Sequence, residues 1–456
     1  MLTREDNEKL TRTGRGTPMG TLFRSYWVPV LLSEELPERD GAQMRVRILG
    51  EDLLAFRDTD GQVGLVEPRC PHRGADLYFG RNEHGGLRCA YHGWKFDVAG
   101  RCVDMPILPP ESAQKMCARV AIQAYPTREW GGMVWAYMGR SDKGEDEAAE
   151  LPALPQMEFA LVPESHRYVS KKLQECNWAQ AAEGGIDTAH FSFLHMPVAR
   201  SEEEFAQRAL RAVRGYNAQS MNQDHVRWMR EDPRPRYQVK RHAAGLVLGA
   251  SRQADPGEHY WRIAQYLMPC HGYTPSAAEG QTYHGQSWMP IDDQTCWIFC
   301  YSWNPERPLT REEVASYQTG GAVYPARDAH YMPVRNRANQ YLLDRAMQKS
   351  ENFTGIEGVS EQDAAIQDSQ GRIADRTHEM LGPTDIAVVQ FRRLMLQSAD
   401  AVAQGEAPPG RDEPEAYRVR GGGTVAPAGD DFDAVMQRRF GDDVGRVRAE
   451  ADATAP

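Results

Sequence analysis

The chain has no long apolar run: none of its 456 residues belongs to a stretch approaching the eighteen or more that a membrane-spanning helix requires. It also has no excess of positive charge. Its 53 Lys and Arg stand against 64 Asp and Glu, a net charge of −11, which argues against the basic stripe of a nucleic-acid binder. No G-x-G-x-x-G opens a helix after a strand, so the chain is not expected to bind a nicotinamide dinucleotide itself. There is no internal repeat. Eight cysteines are too few for a disulfide framework in a chain of this length, and fit free thiols or metal ligands in a reducing compartment. The opening Met1-Leu2-Thr3-Arg4-Glu5-Asp6 has acids where a secretory signal has a basic start and an apolar core, so a cytoplasmic location is expected.

What is present divides into four stretches, and the length allows two or three cores. Residues 1–40 read as a helical lead-in punctuated by Pro29 and Pro37. Residues 41–140 read as short strands joined by turns, such as Val46-Arg47-Ile48-Leu49 and Leu53-Leu54-Ala55-Phe56, with Asp58-Thr59-Asp60-Gly61 turning the chain before Val63. The charged run 141–150 (SDKGEDEAAE) is the expected domain boundary. Residues 151–404 mix alternating segments, such as Trp261 to Tyr266, with a helical stretch at roughly 173–196 and helices across 340–404. Residues 405–456, with Gly421-Gly422-Gly423, read as an irregular tail with a short helix near Phe432–Phe440.

Two constellations carry chemistry. The first pairs Cys70-Pro71-His72 with Cys89-Ala90-Tyr91-His92. Two thiolates and two imidazoles brought together on facing loops satisfy either a tetrahedral zinc ion or a [2Fe–2S] cluster with both Cys on one iron and both His on the other. Gly74 and Gly93 allow tight turns beside such a centre, and Trp94 and Phe96 read as core residues of the small sheet. The second is Glu183-Gly184-Gly185-Ile186-Asp187 leading to His190 and His195. A separation of five rotates two side chains by about 140° on a regular helix, so a break or bulge is needed to bring both rings to one metal. With a carboxylate from elsewhere they make a 2-His-1-carboxylate facial triad.

Cys70-Pro71-His72-Arg73-Gly74 and Tyr91-His92-Gly93-Trp94-Lys95-Phe96 resemble the two cluster loops of the Rieske oxygenase family, and the His190/His195 segment resembles its mononuclear-iron motif. Respiratory Rieske proteins add a disulfide between the loops, but the matching positions here are Ala75 and Tyr91, which points to the oxygenase branch. The resemblance runs from Leu2 to about Leu396 and looks nearest to the phthalate dioxygenase-like branch, which includes aromatic O-demethylases. Gln370 to Thr377 is similar to that branch as well.

That resemblance implies an α+β chain: an N-terminal all-β Rieske domain, then a C-terminal α+β catalytic domain with an antiparallel sheet flanked by helices. It implies Cys70, His72, Cys89 and His92 as ligands of a [2Fe–2S] cluster, and His190, His195 and Asp363 as ligands of mononuclear Fe(II). Asp368 is the fallback carboxylate, ahead of Glu361 and Asp375. Asp187 is implied as a bridge, hydrogen-bonded to His190 and, across a subunit interface, to His92. Glu183 stands where naphthalene-type enzymes have an Asn near the iron, which weakens transfer of their substrate pocket.

The implied reaction is oxygenation of an aromatic carboxylate with O₂ and electrons from a separate NAD(P)H-dependent reductase, in a homotrimer or stacked trimers. Oxidative O-demethylation is the alternative, and an electron carrier or zinc-stabilised module a remote one. A substrate carboxylate calls for an Arg fork: Arg252 is the leading candidate, Arg200 and Arg208 weaker ones, with Ser192 and Phe193 bordering the pocket.

Overall fold

The computed structural model describes residues 1–139, 151–212, 223–278 and 280–441, so the expected boundary at 141–150 lies outside the described residues. The chain forms two compact units. One is Thr13–Pro152; the other joins Met1–Arg12 to Ala153–Pro456.

The smaller unit is built on short antiparallel strands in three sheets. Strand Met44–Ile48 buries Val46 and Ile48 while Arg45 and Arg47 face out, the two-residue period of a half-buried strand. Leu49 and Gly50, both at positive φ, make the two-residue turn into Glu51–Arg57 that suits hairpin twist. The next turn falls at Asp58–Gly61 as the sequence indicates, where Asp58 Oδ1 accepts from the Asp60 and Gln62 amides. The strands of residues 81–104 form a separate four-stranded sheet, which presents the Cys89 loop. The expected helical lead-in holds only in part. Helices Arg4–Thr11 and Pro18–Arg24 form, but Trp27–Leu32 is a fully buried strand paired with Met133–Tyr137, because its continuous apolar run suits a covered sheet.

The larger unit holds an eight-stranded antiparallel sheet. Its order runs Arg167–Gln174, Cys296–Trp303, Tyr283–Pro290, His271–Tyr273, Glu258–Leu267, Gly245–Gln253, Arg236–His242. The short strand His271–Tyr273 covers only one end of Glu258–Leu267, and the other end pairs with Gly422–Pro427. Within the tail expected to be irregular, Gly422–Pro427 is therefore part of the sheet. The short helix expected after it forms over 432–441, with Phe432 stacked on Trp261 at 5.4 Å.

The first twelve residues belong here too: Asn177 Nδ2 donates to Thr11 O at 2.9 Å and Trp178 Nε1 to Leu10 O at 3.2 Å. The helix expected at 173–196 is three pieces. Residues up to Gln174 are strand, Trp178–Ile186 is α-helix and His190–Ser192 is a single 3₁₀ turn. Of the helices expected across 340–404, Arg345–Ser350, Val359–Ser369 and Ile386–Ala403 form. Gln340, Tyr341 and Leu342 adopt left-handed backbone instead, with Tyr341 buried and its hydroxyl on Asp368.

Candidate metal centres and their surroundings

The two Cys loops of the small unit close with the same pair of backbone bonds. Cys70 N donates to Ala75 O and Gly74 N to Cys70 O; Cys89 N donates to Trp94 O and Gly93 N to Cys89 O, all at 2.8–3.0 Å. The fifth position of each loop needs left-handed backbone, at φ +71 for Gly74 and +77 for Gly93, which is why glycine stands at both. Cys70 and Cys89 are buried facing each other, and burial above all pushes the Cys70 thiol up to about 11. The His72 and His92 rings meet edge to face at 4.4 Å, and His72 stacks on Trp94 at 4.6 Å.

His72 Nδ1 is buried with no hydrogen-bond partner, the state of a nitrogen reserved for a metal. Four ligands of one zinc ion, each about 2.0–2.3 Å from it, would lie within about 4 Å of one another. Among the described residues, only His190, His195 and Asp363 bring three such atoms within 4.8 Å. The paired thiols and paired imidazoles suit a two-iron cluster, with both Cys on one iron and both His on the other.

In the larger unit, helix Trp178–Ile186 ends at Asp187, the chain turns, and the 3₁₀ turn carries His190. His195 follows three residues after it, and Asp363 comes from the second turn of helix Val359–Ser369. His190 Nε2 and His195 Nε2 are 3.2 Å apart, and Asp363 Oδ1 lies 3.5 and 3.1 Å from them. Atoms bound about 2.1 Å from one ion at near-right angles sit about 3 Å apart, so the three match one face of a coordination shell.

The outer nitrogens explain why a cation is needed. His195 Nδ1 is 2.7 Å from Gln362 Oε1, and Gln362 Nε2 donates to Ile356 O at 2.8 Å, so the oxygen faces the ring and the Nδ1 carries the proton. His190 Nδ1 is 3.4 Å from Asp187 Oδ2. Both Nε2 atoms then present lone pairs to each other and to a carboxylate, an arrangement that a bound cation relieves.

Two family descriptions match the chain: the Rieske [2Fe-2S] domain over residues 26–126 and the LigXa C-terminal domain like family over 136–441. The chain is 41 % identical to a phthalate 4,5-dioxygenase oxygenase subunit of Pseudomonas putida, over 91 % of this chain and 90 % of that protein. It is 38 % identical to a 3-chlorobenzoate-3,4-dioxygenase oxygenase subunit of Comamonas testosteroni, over 96 % and 98 %.

This chain belongs to the Rieske oxygenase family.

The fold agrees: a crystal structure of dicamba monooxygenase bound to dicamba superposes with TM-score 0.54 at 16 % identity, covering 84 % of this chain and 99 % of that one. Rieske oxygenases carry a [2Fe–2S] cluster and a mononuclear iron, and the residues present fit both. As an oxygenase subunit, the protein works with a separate electron-donating component. No helix among the described residues is long and apolar enough to cross a membrane.

Around the triad of this Rieske oxygenase, the other carboxylates considered go elsewhere. Asp368 takes the Tyr341 hydroxyl, Glu361 the Ala326 amide at 3.1 Å, and Asp375 the Thr377 hydroxyl at 2.6 Å. Glu183 does not reach the triad. It is paired with Arg376 at 3.0 Å and Arg392 at 2.7 Å, and its two arginines outweigh burial to keep it ionised. Asp187 Oδ1 accepts the Ala189 amide at 2.7 Å and the Tyr237 hydroxyl at 3.2 Å. Burial raises this carboxyl, and His190, Ala189 and Tyr237 together hold it below the usual range.

The substrate residues are distributed differently from expectation. A cavity of about 70 Å³ beside the triad is lined by Phe191 and Arg262, not by Ser192, Phe193 or Arg252. The 3₁₀ turn points Phe191 inward. Ser192 is buried away from the cavity, while Phe193 is 56 % exposed and meets Phe353 edge-on at 5.9 Å. Arg252 lies behind the cavity wall, donating Nη2 to Thr188 O at 2.9 Å. Arg262 donates Nε to Thr188 Oγ1 at 2.7 Å and sits 4.6 Å over the Phe191 ring.

Arg252 faces Tyr260 and Arg262 faces Ala250 in the strand register, so the two arginines are diagonal neighbours on one face of the sheet. The sequence signal for Arg262 was there, a basic residue inside the alternating run Trp261 to Tyr266, but only the pairing of strands shows which face it takes. Arg200 is exposed, its amide on Glu204. Arg208 is held by Glu204 and by the Val198 and Ser350 carbonyls.

Proposed function

We propose that this protein hydroxylates an aromatic carboxylate at a mononuclear iron held by His190, His195 and Asp363, fed by a [2Fe–2S] cluster held by Cys70, His72, Cys89 and His92. The observation that supports an anionic substrate is the arginine pair. Arg252 and Arg262 are 1 % and 3 % exposed, and Arg262 Nη1 and Arg252 Nε and Nη1 have no hydrogen-bond partner. Among the described residues neither has a carboxylate at ion-pairing distance. Burial, then the neighbouring Arg262, pushes the Arg252 guanidinium down to about 10. Buried unneutralised charge is costly, and a substrate carboxylate relieves it. Relatives named for phthalate and 3-chlorobenzoate favour the same class.

Iron bound at the triad supplies activation of dioxygen with electrons relayed from the cluster. The chain's own residues do the rest. Gln362 and Asp187 hold both imidazoles with Nε2 free, Arg262 fixes the carboxylate, and Phe191 walls the ring. Asp187, which holds His190 Nδ1, would be the group to link it to His92 of a neighbouring subunit in a homotrimer or stacked trimers. The electrons come from an NAD(P)H-dependent reductase, and the six cysteines outside the cluster, none of them in a disulfide, suit a cytoplasmic setting.

The test is reductase-coupled O₂ uptake with a panel of aromatic acids, read with product analysis. A cis-diol marks ring dihydroxylation, and formaldehyde from a methoxylated acid marks demethylation. Arg262→Met should raise the KM for the acid about 10- to 100-fold, the loss of one charge-assisted contact, with an unchanged Rieske spectrum. Oxidation of neutral analogues in preference to the acids would sink the carboxylate reading.

A further inference from the structure

The cavity at the triad, about 70 Å³, is too small for its proposed substrate. A cavity of about 150 Å³ is what takes up benzene alone, before any carboxylate is added. A second cavity of about 580 Å³ adjoins it, and Ala322 and Val359 line both. The larger cavity also reaches Gln362, the residue next to Asp363 that turns His195.

The wall between the cavities has an unusual construction. Ala322 is 2 % exposed and holds left-handed backbone, φ +51, at the end of a Gly320-Gly321-Ala322 loop in which Gly320 is also at positive φ. A non-glycine residue in that region is strained and persists where the surroundings hold it, a condition concentrated at binding sites and gates. Val359 opens the helix that carries Asp363 one turn later, after Gly358 at φ +95. Ala322 and Val359 thus stand where the two cavities meet, on a loop with two glycines on one side and at a helix start on the other.

We propose that the two cavities form one substrate tract, with the larger as the vestibule, and that Ala322 and Val359 are the gate through which a ring passes and beyond which its far substituent remains. The carboxylate end lies at Arg262 and the opposite end projects past Ala322, so these two residues decide which ring substituents the enzyme accepts. The inference rests on the aromatic reading above.

The gate is tested by ring binding to the iron-loaded holoenzyme, measured by stopped-flow and calorimetry with benzoate and with the neutral ring indole. Ala322→Gly suits the left-handed backbone and removes the methyl group. It should speed association of both rings and tighten biphenyl-4-carboxylate at least 10-fold relative to benzoate. Val359→Phe enlarges the side chain where the cavities meet and should slow association of both rings at least 10-fold. Azide needs no ring-sized opening, and its unchanged binding in both variants, with unchanged iron content, shows that the metal site is intact. Association rates equal in all three proteins would overturn the gate, as would a wild-type protein that binds neither ring. Wild-type binding of indole without benzoate would count against the carboxylate reading alone, and the gate would then be judged on the indole rates.

Discussion

Neither imidazole of the triad is oriented by the metal alone. His195 is turned by Gln362, which is itself fixed by Ile356 O, and His190 leans on Asp187. Such partners set the tautomer and ring angle, and their loss costs about 10- to 100-fold in metal affinity. Gln362→Leu should therefore release iron to a chelator about 10- to 100-fold more readily, with the cluster spectrum intact; an unchanged iron affinity would mean that helix geometry alone holds His195. Of the site, the two histidines stood out as a motif whose flanks resemble the family's, whereas Asp363 was chosen over Asp368 by the resemblance of its helix start, because no spacing ties a distant carboxylate to the histidines. Gln362 was not, because an amide carries no signal in a sequence until its oxygen is seen against a ring. Arg262 was missed for a related reason: which of two strand arginines, Arg252 or Arg262, reaches the cavity depends on how the strands pair and stack.

The helix break after Ile186 is what brings residues 190 and 195 together, and the paired glycines before it let the helix lie close to its neighbours. A Cβ at Gly184 would come within 2.0 Å of Gln367 Nε2, and one at Gly185 within 2.0 Å of Trp288 Cζ2. Glutamine can swing away, but the large Trp288 ring is buried, with little room to move aside. Gly185→Ala should lift the helix and cost about 1–3 kcal/mol in unfolding free energy, with reduced iron occupancy, by the usual cost of overpacking. Gly184→Ala should be milder. Calorimetry alongside iron analysis separates the two. The tail offers the opposite lesson: glycine-rich residues 421–423 read as irregular, yet their small size lets the segment pair along the free end of Glu258–Leu267.

Across the larger unit, the central sheet buries histidines that must stay neutral. Burial lowers His271 to about 3 and His284 to about 4, and each sets Nδ1 against a serine hydroxyl, at 2.6 and 2.7 Å. Unfolded, both titrate near 6.5. Because the unfolded chain binds these protons first, folding stability is undiminished above about pH 6.5. It should fall as pH drops through the window down to about 4 for His284 and about 3 for His271, each by up to about 1.4 kcal/mol per pH unit. Urea midpoints measured from pH 7.5 to 5 should show this slope, and His284→Asn should flatten it; an equal slope in the variant would assign the effect to other groups.

Residue types and spacings alone marked the two Cys/His pairs and the His190/His195 pair as metal-binding patterns, and the resemblance of their flanking residues to Rieske oxygenases chose the family and the carboxylate; a metal constrains chemistry and chain separation tightly enough to leave such a local mark. Glycine at 74 and 93 follows from the loop geometry alone. Only the tertiary structure decided which face Arg262 takes, that Glu183 serves two arginines instead of the iron pocket, that the first twelve residues join the larger unit, and that Ala322 and Val359 stand between two cavities. Each of those depends on residues far apart in the chain coming into contact, and burial and strand pairing, which set such contacts, are properties of the folded whole.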